Sequence, residues 1–307
     1  MIDYHDDSID SAFIERQLEF VKAKTYDKKY PDFKARQLLP VSHETSNGAE
    51  TVKYNVYDMR GIAKVIKSYA DDLPRADVVV KEERQAVKPI GAAYGYSVQE
   101  LRASQLAGGV PLEQRKANAA RRAIEARIDK IASLGDSVNG LIGLLNVTNA
   151  QTYTIPAGVS THTDWARKTG LEMLADLNLA SAKIPTSTFD VEHPTTIVLP
   201  INQYALIGMT PVNTGIPKTV REHFLESSEW VSEIMSWYRL SNAGSGGTTD
   251  RMLVYTRDAD HIWLDIPQEF EQFPAQQVNL EFKVACHARI AGVICPYPFS
   301  VLYADGI

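Results

Sequence analysis

"AVKPIGAAYGYSVQELRAS", residues 86–104, decides how the chain is read. Its second half announces a helix. Ser97 and Glu100 stand at the spacing of a capping box, in which a hydroxyl and a carboxylate each satisfy a backbone N–H that the first turn leaves free. Its first half is a strand with little to bury. Pro89, Gly91 and Gly95 share it with Ala86, Ala92 and Ala93, so it brings little core of its own. A strand needs partners for its backbone and cover for its faces. What pairs with this one is the question the sequence poses.

Upstream, "TVKYNVYDMRG" (51–61) alternates. Val52, Tyr54, Val56 and Asp58 point one way and Lys53, Asn55, Tyr57 and Met59 the other, a strand with no strongly apolar face. Residues 62–85 are a charged connection too long for a tight hairpin. The expectation is a hairpin of 51–61 with 86–96 and an elaborated tip. Its faces bury too little to stand alone, so a neighbouring subunit completes it. Earlier still, Ile14, Leu18 and Val21 mark an amphipathic helix over 11–24. Residues 25–40, "TYDKKYPDFKARQLLP", read as an extended arm that crosses something or as a solvated linker.

Downstream, the capped helix ends at Gly108-Gly109 and Pro111 opens a longer one that Gly135 stops. Ala117, Ala120, Ile124, Ile128 and Ile131 form its narrow apolar stripe. Arg115, Lys116, Arg121, Arg122, Glu125, Arg127, Asp129 and Lys130 are read as the opposite face. That face is either solvated or turned toward neighbouring subunits or an enclosed polyanion. "THTD" (161–164) predicts a second capping box, opening a helix in which Trp165, Leu171, Leu174 and Leu177 are core candidates. Residues 219–240 are read as one or two helices, and the β-branched and aromatic C-terminus as a sheet. Strands and helices come in blocks, so the fold class is α+β.

With 307 residues, 44% of them hydrophobic, the chain has length for a real core in one large domain or two. A net charge of -6 argues against a general nucleic-acid binder. The uncharged tracts 137–163 and 194–217 are broken by Gly, Pro, Asn and Thr, so neither is a membrane helix. The acidic N-terminus is unlike a signal peptide, and an intracellular origin is expected. Phosphate-loop, dinucleotide, zincin and nucleophile-elbow motifs are all missing. Asp258, Asp260, His261 and Asp265 are the best metal candidates, against a plain polar turn. Cys286 and His287 are neighbours on a strand and face opposite ways. Cys286 and Cys295 read as buried thiols, and His162 and His193 have sufficient structural roles. The expectation is no catalytic, cofactor-binding or metal residue.

"VYDMRG", "PIGAAYGYSVQELRAS", "PLEQRKANAARRAIEARIDKIASLGD", "GLIGLLN" and the closing "YADGI", in this order and spacing, resemble the major capsid proteins of tailed bacteriophages with the Hong Kong-ninety-seven capsid fold. The likeness is strongest over 51–146 and at the C-terminus. It implies an N-terminal arm (1–39), an extended hairpin loop (40–97), a peripheral domain with a spine helix (98–150), an axial domain (151–277) and C-terminal strands returning to the peripheral domain (278–307). It further implies a non-enzymatic subunit that assembles with itself as hexamers and pentamers into an icosahedral shell around double-stranded DNA. The implied partners are a portal protein and separate scaffolding and decoration proteins, with DNA touched weakly and without sequence specificity and no membrane contact. The implied location is the virion, and the host cytoplasm during assembly. Some relatives cross-link lysines to neighbours. Lys64, Lys67 and Lys81 lie in the expected hairpin tip, but nothing marks a partner for them, and no cross-link is expected. The alternatives are an encapsulin-type shell and, from another class, an α+β hydrolase or metal enzyme built on Asp258, Asp260 and His261.

Overall fold

A computed structural model describes residues 31–63, 75–107 and 112–307. The expected helix over 11–24 and the first part of the arm lie outside the described residues. In chain order the first half contains α1 (Ala35–Leu38), β1 (Val41–Ser42), β2 (Thr51–Arg60), β3 (Asp77–Ala86), β4 (Lys88–Ser97), α2 (Val98–Ala107), α3 (Leu112–Leu134), β5 (Gln151–Thr154) and α4 (Gly170–Thr188). The second half contains β6 (Thr196–Leu199), α5 (Ile201–Met209), β7 (Pro211–Asn213), β8 (Ile216–Thr219), α6 (Val220–Ser227), β9 (Glu233–Ser236), β10 (Arg251–Tyr255), β11 (Trp263–Asp265), β12 (Gln268–Gln272), β13 (Gln276–Val278), β14 (Glu281–Ile290), β15 (Gly292–Ile294) and β16 (Val301–Asp305).

The lean strand β4 does not pair with 51–61. It runs antiparallel to β14 in unbroken register, from Lys88 opposite Ile290 to Ser97 opposite Glu281. β12 and β13 follow each other along the other edge of β14. The hairpin partner of β2 is instead β3, with Thr51 opposite Ala86 and Arg60 opposite Asp77. The charged connection therefore supplies a strand. Its signal was the β-branched run Val78, Val79 and Val80, hidden among charges that a two-sided exposed ribbon tolerates.

β4 also has more core than its composition suggests. Ile90, Ala92, Tyr94 and Tyr96 turn to one face, where they join Val284, Cys286, Ala288 and Ile290 of β14 beneath the stripe Ala120, Ile124, Ile128 and Ile131 of α3. Tyr96 stacks on Phe282 directly across the ladder, with centroids 5.3 Å apart. The alternate residues Pro89, Gly91, Ala93 and Gly95 are exposed. The capping box holds as read: Glu100 Oε2 accepts from the Ser97 N–H (2.9 Å) and Ser97 Oγ from the Glu100 N–H (3.1 Å). α3 stops at Gly135, whose φ of +71° and whose 2.5 Å gap from an added Cβ to the Leu141 carbonyl admit only glycine.

A five-stranded sheet in the order β5-β16-β10-β6-β9 separates two cores. Val198, Leu253, Tyr255, Val301 and Tyr303 face the core of α3 and β14, while Ile197, Leu199, Met252, Val254, Leu302 and Ala304 face a second core shared with α4, α5 and α6. This alternation is why these strands read as nearly continuous apolar runs. The last strand, β16, lies in this sheet between β5 and β10 rather than beside β4.

Other expectations are corrected. Thr161 sits at φ +63° in a turn, so "THTD" is no capping box. The box that opens α4 is Thr169 with Glu172, which leaves Trp165 and Leu177 buried but Leu171 exposed. Residues 233–236 form β9, not a helix, because a parallel slot beside β6 takes them. Residues 33–39 are packed rather than an extended arm: Ala35, Leu38 and Leu39 are buried, and Tyr255 donates to the Leu38 carbonyl (2.5 Å). Asp129 lies on the buried side of α3. It accepts from the Ala35 N–H (3.1 Å) and from Arg239 Nη2 (2.7 Å). Breaking a buried ion pair strands the remaining charge, so Asp129→Ala is expected to cost about 3 kcal/mol, read as a lower denaturant midpoint with an unchanged m-value.

Candidate functional site

The β2–β3 ribbon is the part of the described chain least explained by its own core. At its base it is tied down. Gln85 is buried, and its amide donates to the carbonyls of Gly140 and Ala291, both at 3.0 Å. The Val87 N–H donates to the Glu50 carbonyl (2.8 Å), and Arg289 donates to the carbonyls of Asn47 and Ala49. Tyr54, Val56 and Glu83 border a cleft of about 240 Å³ against Val293, Cys295 and Pro298.

Away from the base the ribbon is open. Tyr57 lies opposite Val80 and Met59 opposite Val78, so these four side chains share one face. They are 63%, 51%, 84% and 52% exposed. Around them run surface ion pairs, Lys53 with Glu82 (3.1 Å) and Lys81 with Glu83 (2.5 Å). Exposed pairs of this kind contribute little, and a two-stranded ribbon without a covered face is marginal in water. The exposed apolar face is thus a docking surface rather than a fragment of core.

The sequence-selected polar residues do not assemble into a reaction centre. Asp258 accepts from His261 (Nδ1 to Oδ2, 3.0 Å), which holds its carboxyl below the usual range, and the other ring nitrogen of His261 lies 3.1 Å from Glu192. Asp265 is elsewhere, buried on β11, with Thr45 Oγ1 donating to it at 2.6 Å. Among the described residues no three His, Cys, Asp or Glu side chains are grouped to hold a metal ion. Cys286 faces the core and His287 the opposite side, as the strand spacing requires. Cys295 is pushed up to about 12 by burial, so it is a poor nucleophile. His162 lies against Arg167 (3.0 Å), and His193 stacks on Trp230 with centroids 5.5 Å apart. Lys81 is on the ribbon; Lys64 and Lys67 lie outside the described residues. A groove of about 490 Å³ between β4 and α3 has Arg127 and Asp136 among its polar residues, and these two pair with each other. Among the described residues no helix is long and apolar enough to cross a membrane.

A family model described as major capsid protein matches residues 61–307. The fold is similar to that of the capsid of Myoviridae phage XM1 at a TM-score of 0.81 and 18% identity, covering 95% of this chain and 98% of that one. It is similar to a chain of Mycobacterium phage Bobi at 0.64 and 14%, covering 96% and 98%. It is also similar to the capsid of an empty gene transfer agent (GTA) particle at 0.60 and 12%, covering 96% and 97%. Comparison with curated protein sequences finds no match.

Burial raises the Asp265 carboxyl above its ordinary range, against the opposing Thr45 hydrogen bond. The folded chain therefore holds this proton more tightly than the unfolded one. The resulting penalty is absent below the unfolded value near pH 3.9 and complete once pH passes the raised folded value. Asp265→Asn keeps an acceptor for Thr45 and removes the charge. The variant is expected to gain stability over the parent progressively across that window, measured by urea unfolding at a series of pH values.

Proposed function

The chain belongs to the major capsid protein family, and on that premise we propose how it builds a shell. Copies associate as hexamers and pentamers and close into an icosahedral head around double-stranded DNA. The β2–β3 ribbon reaches across an adjacent subunit, α3 serves as the spine of a peripheral domain with β4 and β14, and the five-stranded sheet with α4, α5 and α6 forms the axial domain. The observation that carries this reading is the exposed apolar face of Tyr57, Met59, Val78 and Val80, on a ribbon whose base is firmly anchored and whose distal part has no cover in its own chain. Such a surface is worth displaying if another copy buries it.

The same reading accounts for the lack of a reaction centre and for the charge. Catalysis needs convergent groups with shifted proton affinities in one pocket, and the polar residues here are spent on turns and clamps. A net charge of -6 repels packaged DNA mildly, so that contact with it is weak and without sequence specificity. A portal protein, and separate scaffolding and decoration proteins, would be the remaining partners. Assembly would run in the host cytoplasm before the chain becomes part of the virion.

The purified protein is expected to form closed shells, tubes or capsomer fragments under negative-stain electron microscopy. A stable monomer at high concentration would overturn the proposal. The double variant Met59→Asp/Val80→Asp places charge on the ribbon face. It is expected to abolish particles while leaving the stability of the subunit within about 0.5 kcal/mol, as for other surface changes, followed by circular dichroism on thermal unfolding.

A further inference from the structure

A second surface stands out at the end of α4. The helix stops at Phe189, which has φ +54° and ψ +46°, and Asp190 follows at φ +67°. The position just past a helix that adopts this left-handed conformation is normally glycine, sometimes asparagine, because a β-carbon crowds the backbone there. Phenylalanine bears that strain without recovering it within the subunit, since its ring is 91% exposed. The residues on both sides of it line a groove of about 410 Å³ formed by Thr188, Val191, Pro296, Tyr297, Pro298 and Phe299. Val191, Tyr297 and Phe299 are themselves 74%, 45% and 58% exposed. Pro296 and Pro298 also border the cleft under the ribbon base, so this patch continues the surface already read as an assembly contact.

We propose that Phe189 is an anchor that enters the Val191–Phe299 groove of a second copy of this chain, across a two-fold contact between capsomers. The inference rests on the capsid reading above. The occupant follows from the layout of the patch. An aromatic knob and an apolar groove able to take a ring lie side by side on one surface. Two identical copies related by a two-fold axis satisfy both at once, each inserting its knob beside the other's. In a ring, where copies meet head to tail, knob and groove would lie on opposite flanks of the subunit. Aromatic anchors in desolvated pockets carry a disproportionate share of interface energy, which is a physical reason for keeping a costly side chain at this position.

The test compares Phe189→Gly with Phe189→Ala. Both remove the knob, and only glycine relieves the backbone. Unassembled Phe189→Gly subunits are expected to unfold at a higher temperature than Phe189→Ala subunits. Both variants are expected to yield discrete hexamers and pentamers but no closed shells, by sedimentation and negative-stain microscopy. Shells of either variant with parental yield would overturn the anchor while leaving the capsid reading intact. Loss of hexamers and pentamers themselves would overturn its assignment to the two-fold contact. If the parent protein forms no particles either, the capsid reading fails first and the anchor with it. An independent arm mixes Phe189→Cys chains with Phe299→Cys chains under mild oxidation. A disulfide-linked dimer between the two variants is expected, and its absence from assembled particles would overturn the pairing of knob and groove.

Discussion

The ladder between Lys88–Ser97 and Glu281–Ile290 holds the fold in its present form. It joins strands from the two ends of the described chain and lays them as one surface under α3. That surface is what the apolar stripe of α3 packs against. Because the strands lie so far apart in sequence, the loop-closure entropy is met late, only after the intervening sheet has formed. The two cores share that sheet, which makes the order of assembly plausible in physical terms: the central strands bury both faces, and the long ladder then closes over one of them. The ribbon emerges from the same place, since Val87 and Gln85 stand between it and β4. The anchored base of the ribbon is therefore a consequence of the ladder rather than a separate device.

Much of this was legible in the sequence, and what was not has identifiable causes. The capping box at Ser97 and Glu100, the stripe of α3 and its stop at Gly135 depend on local chemistry, which a sequence displays directly. The partner of β4 does not. Its alternation of Ile90, Ala92, Tyr94 and Tyr96 with Pro89, Gly91, Ala93 and Gly95 is a good half-buried pattern, but composition concealed it, and no local signal points to a strand near the C-terminus. Val78 to Val80 were read as a connection because strand patterns are normally sought against a buried face, and this ribbon has none in its own subunit. Asp129 was assigned to the solvated side of α3 by its charge, although its spacing from Ile128 and Ile131 already put it near the core. The missed residues of the docking surfaces share a cause. Phe189 and Met59 look like ordinary apolar residues, and only their exposure distinguishes them.

The buried polar groups add a further constraint. Asp129 fixes residues 33–39 against α3 through Ala35 and Arg239. Asp176 receives Lys168 Nζ (2.7 Å) and Trp165 Nε1 (2.9 Å), while Lys168 also donates to the Pro156 carbonyl (2.7 Å). Burial raises the Asp176 carboxyl, and these donors oppose the rise. Asp265 ties Thr45, in the segment that leads to the ribbon. In each case a buried carboxylate joins an irregular segment to a regular element. A hydrophobic replacement would pack as well or better, but it would not dictate where the loop leaves the core. Hydrogen-bond geometry does dictate it, through direction as well as distance.

That distinction matters for a chain whose energetics are divided between folding and association. A subunit that presents Tyr57, Met59, Val78 and Val80 to solvent exposes apolar surface that any other chain can cover, and the hydrophobic effect has no direction. Specific assembly then depends on where those side chains are held. The ribbon supplies the attraction. The clamps at Gln85, Arg289 and Asp265 determine the angle at which it is offered, so that burial is complete only against a surface of matching shape. Polar groups inside the subunit thus contribute to specificity outside it, by limiting the poses in which the apolar face can be covered.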